Sequence, residues 1–142
     1  MKKIFVFFFI LSFSGEVSAN QFKLKNIIDL EKPWSASFVS KNEILITEVS
    51  GKIKILNLKN KQLKKINHNL NVLEYGQGGL LDILYKNKKV WVVYSENRGD
   101  WKTSTSIAVG NFDRDRIKFK NIFQAYPPID SPYHFGSRLA IK

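Results

Sequence analysis

Two short stretches of the chain combine side chains that can do chemistry with backbone that can present them. The first is Gly76-Gln77-Gly78-Gly79-Leu80-Leu81-Asp82-Ile83. Its glycines let the backbone take positive φ and approach another group closely. Gln77 between them carries an amide that both donates and accepts hydrogen bonds. The second stretch is Tyr133-His134-Phe135-Gly136-Ser137-Arg138. His134 follows Pro127, Pro128 and Pro132, which stiffen its approach, and precedes Gly136. Imidazole takes up a proton near physiological pH, so a preorganised histidine here suits a general base. It equally suits a histidine held by hydrogen bonds at the start of a strand.

Other candidates for chemistry are thinner. His68 lies in Asn67-His68-Asn69, a polar stretch with nothing convergent around it, and is predicted in a surface loop. No histidine, aspartate or glutamate spacing matches a zinc site, and there is no Gly-x-Ser-x-Gly elbow, P-loop or dinucleotide fingerprint. Asp113-Arg114-Asp115 lacks the further oxygen ligands and the glycine of a calcium loop. Arg98-Gly99-Asp100 matches an integrin-type tripeptide, but three residues coincide easily, and a surface turn is the simpler expectation.

The elements that must position these loops read as strands. Phe22 to Ile28 alternates and is predicted as a short strand, and Pro33-Trp34 opens another through Ser37 to Ser40. Glu43 to Val49 and Lys52 to Asn57 are β-branched runs joined at Ser50-Gly51, predicted as a hairpin with a two-residue turn. Gln62 to Ile66 is an expected edge strand, and Leu80 to Tyr85 follows the glutamine loop. Val90 to Ser95 is apolar on both faces, as in an inner strand covered on both sides. Ser104 to Gly110, Arg116 to Lys120 and Ile122 to Ala125 continue the sheet before Pro127-Pro128 breaks it. With no sustained helical periodicity, the fold class is all-β. Sandwich, barrel and propeller all accommodate these strands, and the spacing is compatible with the period of about 40–45 residues of a propeller blade.

The chain has 142 residues, a formal net charge of +11 and no cysteine. Lys2 and Lys3, the apolar run Ile4 to Phe13 and the small residues Val17-Ser18-Ala19 predict an export signal cleaved after Ala19. The apolar run is about half of the roughly 20 residues that span a bilayer, which favours a removable signal over an uncleaved tether. The expected location is therefore periplasmic or secreted, with no stable membrane insertion. Without cysteine, the remaining domain must be held by its core or by a bound group. Its lysines are scattered, and Lys52 and Lys54 alternate with Ile53 and Ile55 as on the solvent side of a strand. That pattern reads as a basic surface, not as the clustered basic and aromatic face of a nucleic-acid site.

Taken together, Gly76 to Ile83 followed by His134-Phe135-Gly136-Ser137-Arg138-Leu139 resembles the soluble PQQ-dependent sugar dehydrogenases, the glucose/sorbosone dehydrogenase family, and most nearly its aldose sugar dehydrogenase branch. Pro33-Trp34 with Ser37-Phe38, Ile44 to Glu48 with Gly51-Lys52-Ile53, Val90 to Ser95 and Ile122 to Ala125 carry the likeness along the chain. The resemblance implies a six-bladed β-propeller with pyrroloquinoline quinone (PQQ) over its channel, an aldose substrate oxidised to a lactone, and an external electron acceptor. It implies His134 as the base that deprotonates the anomeric hydroxyl, Gln77 as a contact to substrate or cofactor, and Arg138 as a structural partner of the loop. Two departures stand out: Val49 where the family often has arginine, and Tyr133 where some members have a polar or charged residue. Residues 20–142 supply about two blades and a leading strand on the blade period. The expectation is thus an N-terminal portion of such an enzyme, inactive alone, with most calcium ligands and cofactor contacts elsewhere. The competing expectation is an exported propeller module that binds carbohydrate or protein without redox chemistry.

Overall fold

The computed structural model describes residues 23–141; the predicted export signal and its cleavage site lie outside the described residues. Nine strands follow one another: β1 (Pro33–Ser40), β2 (Glu43–Glu48), β3 (Lys52–Asn57), β4 (Leu63–His68), β5 (Leu80–Lys86), β6 (Lys89–Asn97), β7 (Thr103–Asn111), β8 (Arg116–Ile117) and β9 (Lys120–Gln124). They form two sheets, in the orders β1-β2-β3-β4-β8 and β5-β6-β7-β9. Each sheet is an antiparallel meander of four strands, extended in the first by the parallel pairing of β4 with β8. Leu45, Ile53, Ile55 and Ile66 of the first sheet and Leu80, Ile83, Val90, Val92, Tyr94 and Ala108 of the second share one buried cluster. These are two successive blades of a β-propeller, packed face to face.

Polar groups of β1, of β2 and of the residue after β2 stitch the first sheet to β5. The Thr47 hydroxyl donates to the Leu81 carbonyl (2.6 Å), Tyr85 N–H donates to Ser37 Oγ (2.9 Å), and Leu80 N–H donates to the Val49 carbonyl (3.0 Å). The last of these uses the backbone of Val49, so the bond does not depend on the side chain at that position. As the pattern of Val90 to Ser95 predicts, β6 is an inner strand, buried from Val92 to Ser95.

Several sequence expectations need correction, among them the edge strand at Gln62 to Ile66: β4 lies between β3 and β8. Of the strand expected over Phe22 to Ile28, Phe22 lies outside the described residues and residues 23–28 form no strand, pairing with no neighbour among the described residues. The β2–β3 hairpin turns on three residues, Val49-Ser50-Gly51, not two; Gly51 N–H closes it onto the Glu48 carbonyl (2.9 Å) at φ 88°. Lys52 and Lys54 are not simply solvated. Lys54 Nζ lies 2.7 Å from Oε1 of the fully buried Glu48, and Lys52 Nζ lies 2.6 Å from Glu31. A carboxylate taken out of water needs such partners. Finally, of Arg116 to Lys120 only Lys120, which opens β9 opposite Val109, continues the second sheet; Arg116 and Ile117 pair with Asn67 and His68 of the first. The crossing buries Ile117 and Phe119 in the shared core, and Asn69 clasps Phe119 through both backbone groups, at 2.7 and 3.0 Å.

His68 is part of that crossing and not of a surface loop. Leu70 N–H donates to its Nδ1 (3.3 Å), so Nε2 carries the proton and donates to the Gly51 carbonyl (2.8 Å). The ring meets Phe119 edge-on at 6.3 Å. Burial above all pushes its pKa below the ordinary 6.5; the bond to Gly51 pulls it back and the Lys65 charge adds to the fall. Since the unfolded chain then binds the proton more readily, the stability that neutral His68 contributes is full above about pH 6.5 and is lost as pH falls through the lower folded value. Urea unfolding compared at about pH 7.5 and about pH 5 will show a lower midpoint in acid, and His68→Gln will shrink that difference. An acid loss of the same size in the variant would place the titrating group elsewhere.

Candidate active site

Gln77 sits on a tight loop at the entry to β5. Gly78 N–H closes the loop onto the Tyr75 carbonyl (2.8 Å), and Gly76 takes φ 57°. A Cβ on Gly76 would lie 2.3 Å from the Pro132 carbonyl oxygen, and one on Gly78 would lie 2.9 Å from the Phe135 ring. The glycines are therefore what lets the two loops touch.

Contact between the loops is reciprocal. Gln77 N–H donates to the Pro132 carbonyl (2.8 Å), and His134 N–H donates to Gln77 Oε1 (3.3 Å). The second bond fixes the amide orientation: Oε1 faces His134, and Nε2 has no partner among the described residues. His134 itself has φ 68°, a left-handed conformation that costs a non-glycine residue energy and is retained where the surroundings enforce it. Its imidazole is exposed, with the Tyr133 ring 6.3 Å away at 62°. The structure thus brings Gln77 and His134 together and leaves both side chains facing outward. It keeps His68 apart, in the core crossing. Asp113 is likewise elsewhere: its carboxylate accepts Asp115 N–H (2.7 Å) and Arg116 N–H (3.0 Å) in a turn.

The residue that sequence reasoning passed over is Asp82. Its side chain is 5% exposed and collects three groups from two other segments: the Ser35 hydroxyl of β1 donates to Oδ1 (2.6 Å), and from beyond the histidine loop Leu139 N–H donates to Oδ2 (2.6 Å) and Arg138 Nη1 lies 3.6 Å from Oδ1. The signal was present, since a carboxylate inside Leu80-Leu81-Asp82-Ile83 must be either exposed or well partnered. Among the described residues the Arg138 guanidinium pairs with this carboxylate alone, and its side chain is 85% exposed.

The Glucose / Sorbosone dehydrogenase family model matches residues 30–142. The chain belongs to that family. It is 29% identical to the aldose sugar dehydrogenase YliI of Escherichia coli (strain K12), an alignment that covers 78% of this chain and 32% of the relative. Among solved structures, a glucose dehydrogenase matches with TM-score 0.71 and 30% identity over 77% of this chain and 34% of its own. The apo form of the soluble aldose sugar dehydrogenase from Escherichia coli matches with TM-score 0.72 and 29% identity over 79% and 35%. A PQQ-bound aldose sugar dehydrogenase from Streptomyces coelicolor, at 16% identity and TM-score 0.60, shares the fold over 70% of this chain and 32% of its own. The chain spans about a third of the length of these relatives.

The donor set at the loops suits an anionic, planar cofactor. Gln77 Nε2, the imidazole of His134 and the guanidinium of Arg138 are neutral or positive, and the Asp82 carboxylate is buried and engaged. Among the described residues no group of three or more histidine, aspartate or glutamate side chains is placed to hold a metal ion. The geometry makes Asp82 the anchor of the histidine loop. Asp82→Ala leaves the Ser35 hydroxyl and Leu139 N–H unpaired and is expected to cost about 3 kcal/mol in urea unfolding. Arg138→Ala, at an exposed pair, is expected to cost less than about 1 kcal/mol. The reverse order would mean that the guanidinium, and not the buried carboxylate, holds the loop.

Proposed function

We propose that this chain supplies the glutamine and histidine loops of an exported, PQQ-dependent aldose dehydrogenase that oxidises the sugar at its anomeric carbon to a lactone and passes electrons to an external acceptor. The observation that carries this reading is the reciprocal bonding of the two loops, which puts an amide donor with no partner among the described residues beside a histidine whose backbone is held at positive φ and whose imidazole is exposed. Family membership and the aldose sugar dehydrogenases among the relatives support the substrate class.

PQQ, when bound, would supply an electrophilic quinone able to accept a hydride, that is, one hydrogen with its two electrons. The rest falls to residues of the chain. His134 takes the proton of the anomeric hydroxyl, so that the C–O bond becomes a carbonyl as the anomeric hydrogen leaves with its electron pair. Gln77 Nε2 donates a hydrogen bond to a substrate or cofactor oxygen and sets its distance from the imidazole, because the other end of the same amide holds His134 N–H. Asp82 keeps the following backbone in place through Leu139. Arg138 supports the loop as the exposed partner of Asp82. Calcium enters the reading through the family resemblance, and no step here is routed through it.

In the protein that carries this segment, assayed with PQQ, calcium, an aldose and a dye acceptor, His134→Ala is expected to lower kcat by about 100-fold or more. Gln77→Ala is expected to act mainly on KM. Undiminished turnover in His134→Ala would remove it as the base. The loops themselves offer one guanidinium and no lysine to the carboxylates of PQQ. Residues 20–142 expressed alone are therefore expected to give no dye reduction. Turnover by that segment, lost on His134→Ala, would instead establish a functional short form.

A further inference from the structure

Beside the glutamine loop lies an aromatic surface that the proposed reaction does not use. The β6–β7 connection, Arg98 to Lys102, folds tightly: Lys102 N–H donates to the Gly99 carbonyl (2.8 Å), Arg98 N–H to the Lys102 carbonyl (2.9 Å), and Gly99 N–H to Asn97 Oδ1 (3.0 Å). Gly99, Asp100 and Trp101 are consecutive left-handed residues, at φ 82°, 49° and 60°. Two of them bear side chains that make this conformation costly, and such strain persists where the surroundings hold it. What the strained turn does is hold the Trp101 indole outward. The residue is 64% exposed, and its ring is backed by Tyr75 at 5.6 Å and 54°.

In front of the indole is a groove of about 480 Å³ lined by Leu73, Asn97, Gly99, Asp100 and Trp101. That size falls within the range of small-ligand clefts. Its polar groups are chosen for hydroxyls. Asn97 Oδ1 is occupied by Gly99 N–H, which leaves Nδ2 as a donor, while the Asp100 carboxylate has no partner among the described residues and is an acceptor. An indole face with a donor and an acceptor at its rim matches a pyranose, whose C–H groups stack on the ring while its hydroxyls bond at the edge.

We infer that Trp101, with Asp100 and Asn97, forms a second sugar subsite that takes the next pyranose ring of an oligosaccharide whose reducing end lies at Gln77 and His134. Continuity of the chain carries the placement: Tyr75, which backs the indole, is followed directly by Gly76 and Gln77. The inference rests on the aldose reading and deepens it, naming oligosaccharides with a free reducing end as the preferred class. It also gives the Arg98-Gly99-Asp100 turn a role unrelated to its tripeptide.

Calorimetric titration of the full-length protein with glucose and with maltotriose tests this. Maltotriose is expected to bind about tenfold more tightly than glucose, the worth of one aromatic stacking contact. Trp101→Ala is expected to abolish that increment and leave glucose affinity unchanged, and Trp101→Phe to keep most of it. Equal binding of the two saccharides, or an increment that survives Trp101→Ala, overturns the subsite. If that happens while glucose still drives dye reduction, the aldose reading stands and the subsite alone falls. If neither saccharide binds and no aldose drives dye reduction, the aldose reading falls and takes the subsite with it. Sedimentation showing self-association lost in Trp101→Ala, with saccharide affinities unmoved, would assign the ring to a second copy of the chain and likewise overturn the inference.

Discussion

The geometry of the site depends on a charge that the fold has taken out of water. Asp82 lies in β5, among leucines and isoleucine, where an unpaired carboxylate would cost several kcal/mol. It is tolerated because Ser35 from the preceding blade and Leu139 from beyond the histidine loop both bring it hydrogen bonds. The same bonds tie the two blades and the chain after His134 to a single point in the core. A surface carboxylate could not do this, since water would compete for each contact. The cost of burial is thus what makes the anchor specific: the three segments satisfy the charge only in one arrangement.

From this anchor the loops inherit their order. β5 is preceded directly by the glycines of the glutamine loop, so fixing Asp82 at one end and Pro132 at the other leaves Gln77 little freedom. Close approach then does the remaining work. At Gly76 and Gly78 a methyl group would overlap the histidine loop. The bond from His134 N–H to Gln77 Oε1 forms in the space that the missing methyl groups leave open. Loop geometry held by backbone bonds and by one shared amide is stiffer than geometry held by long side chains, because fewer rotors need to be fixed.

How much of this the sequence shows depends on whether the signal is local. Alternation in β3 and the two-sided apolar run of β6 are local, and both strands appear where the pattern puts them. The two site loops are legible for the same reason, since glycine next to Gln77 and proline before His134 each state a backbone requirement within a few residues. What escapes is pairing at a distance. Nothing near Arg116 says that it will leave its own sheet for Asn67, and nothing near His68 says that its ring will be buried against Phe119. Lys54 looks solvated until Glu48 is seen beneath it. Asp82 is the intermediate case: the sequence shows that it needs partners but not that Ser35 and Leu139 are the ones.

The left-handed residues at the site follow from the same economy of support. His134, Asp100 and Trp101 each hold a conformation that a free chain would abandon. They stand on two loops packed around Tyr75 to Gly78, and each is braced by groups that are themselves fixed: Gln77 Oε1 for His134, and the Tyr75 ring and the Gly99 carbonyl for the Trp101 turn. Beneath them the second blade is buried from Leu80 to Ile83 and from Val92 to Ser95. Strain of this kind is kept only where the packing below it is strong enough to offset the cost. Loops held in such conformations need well-packed strands below them, and here β5 and β6 supply that packing.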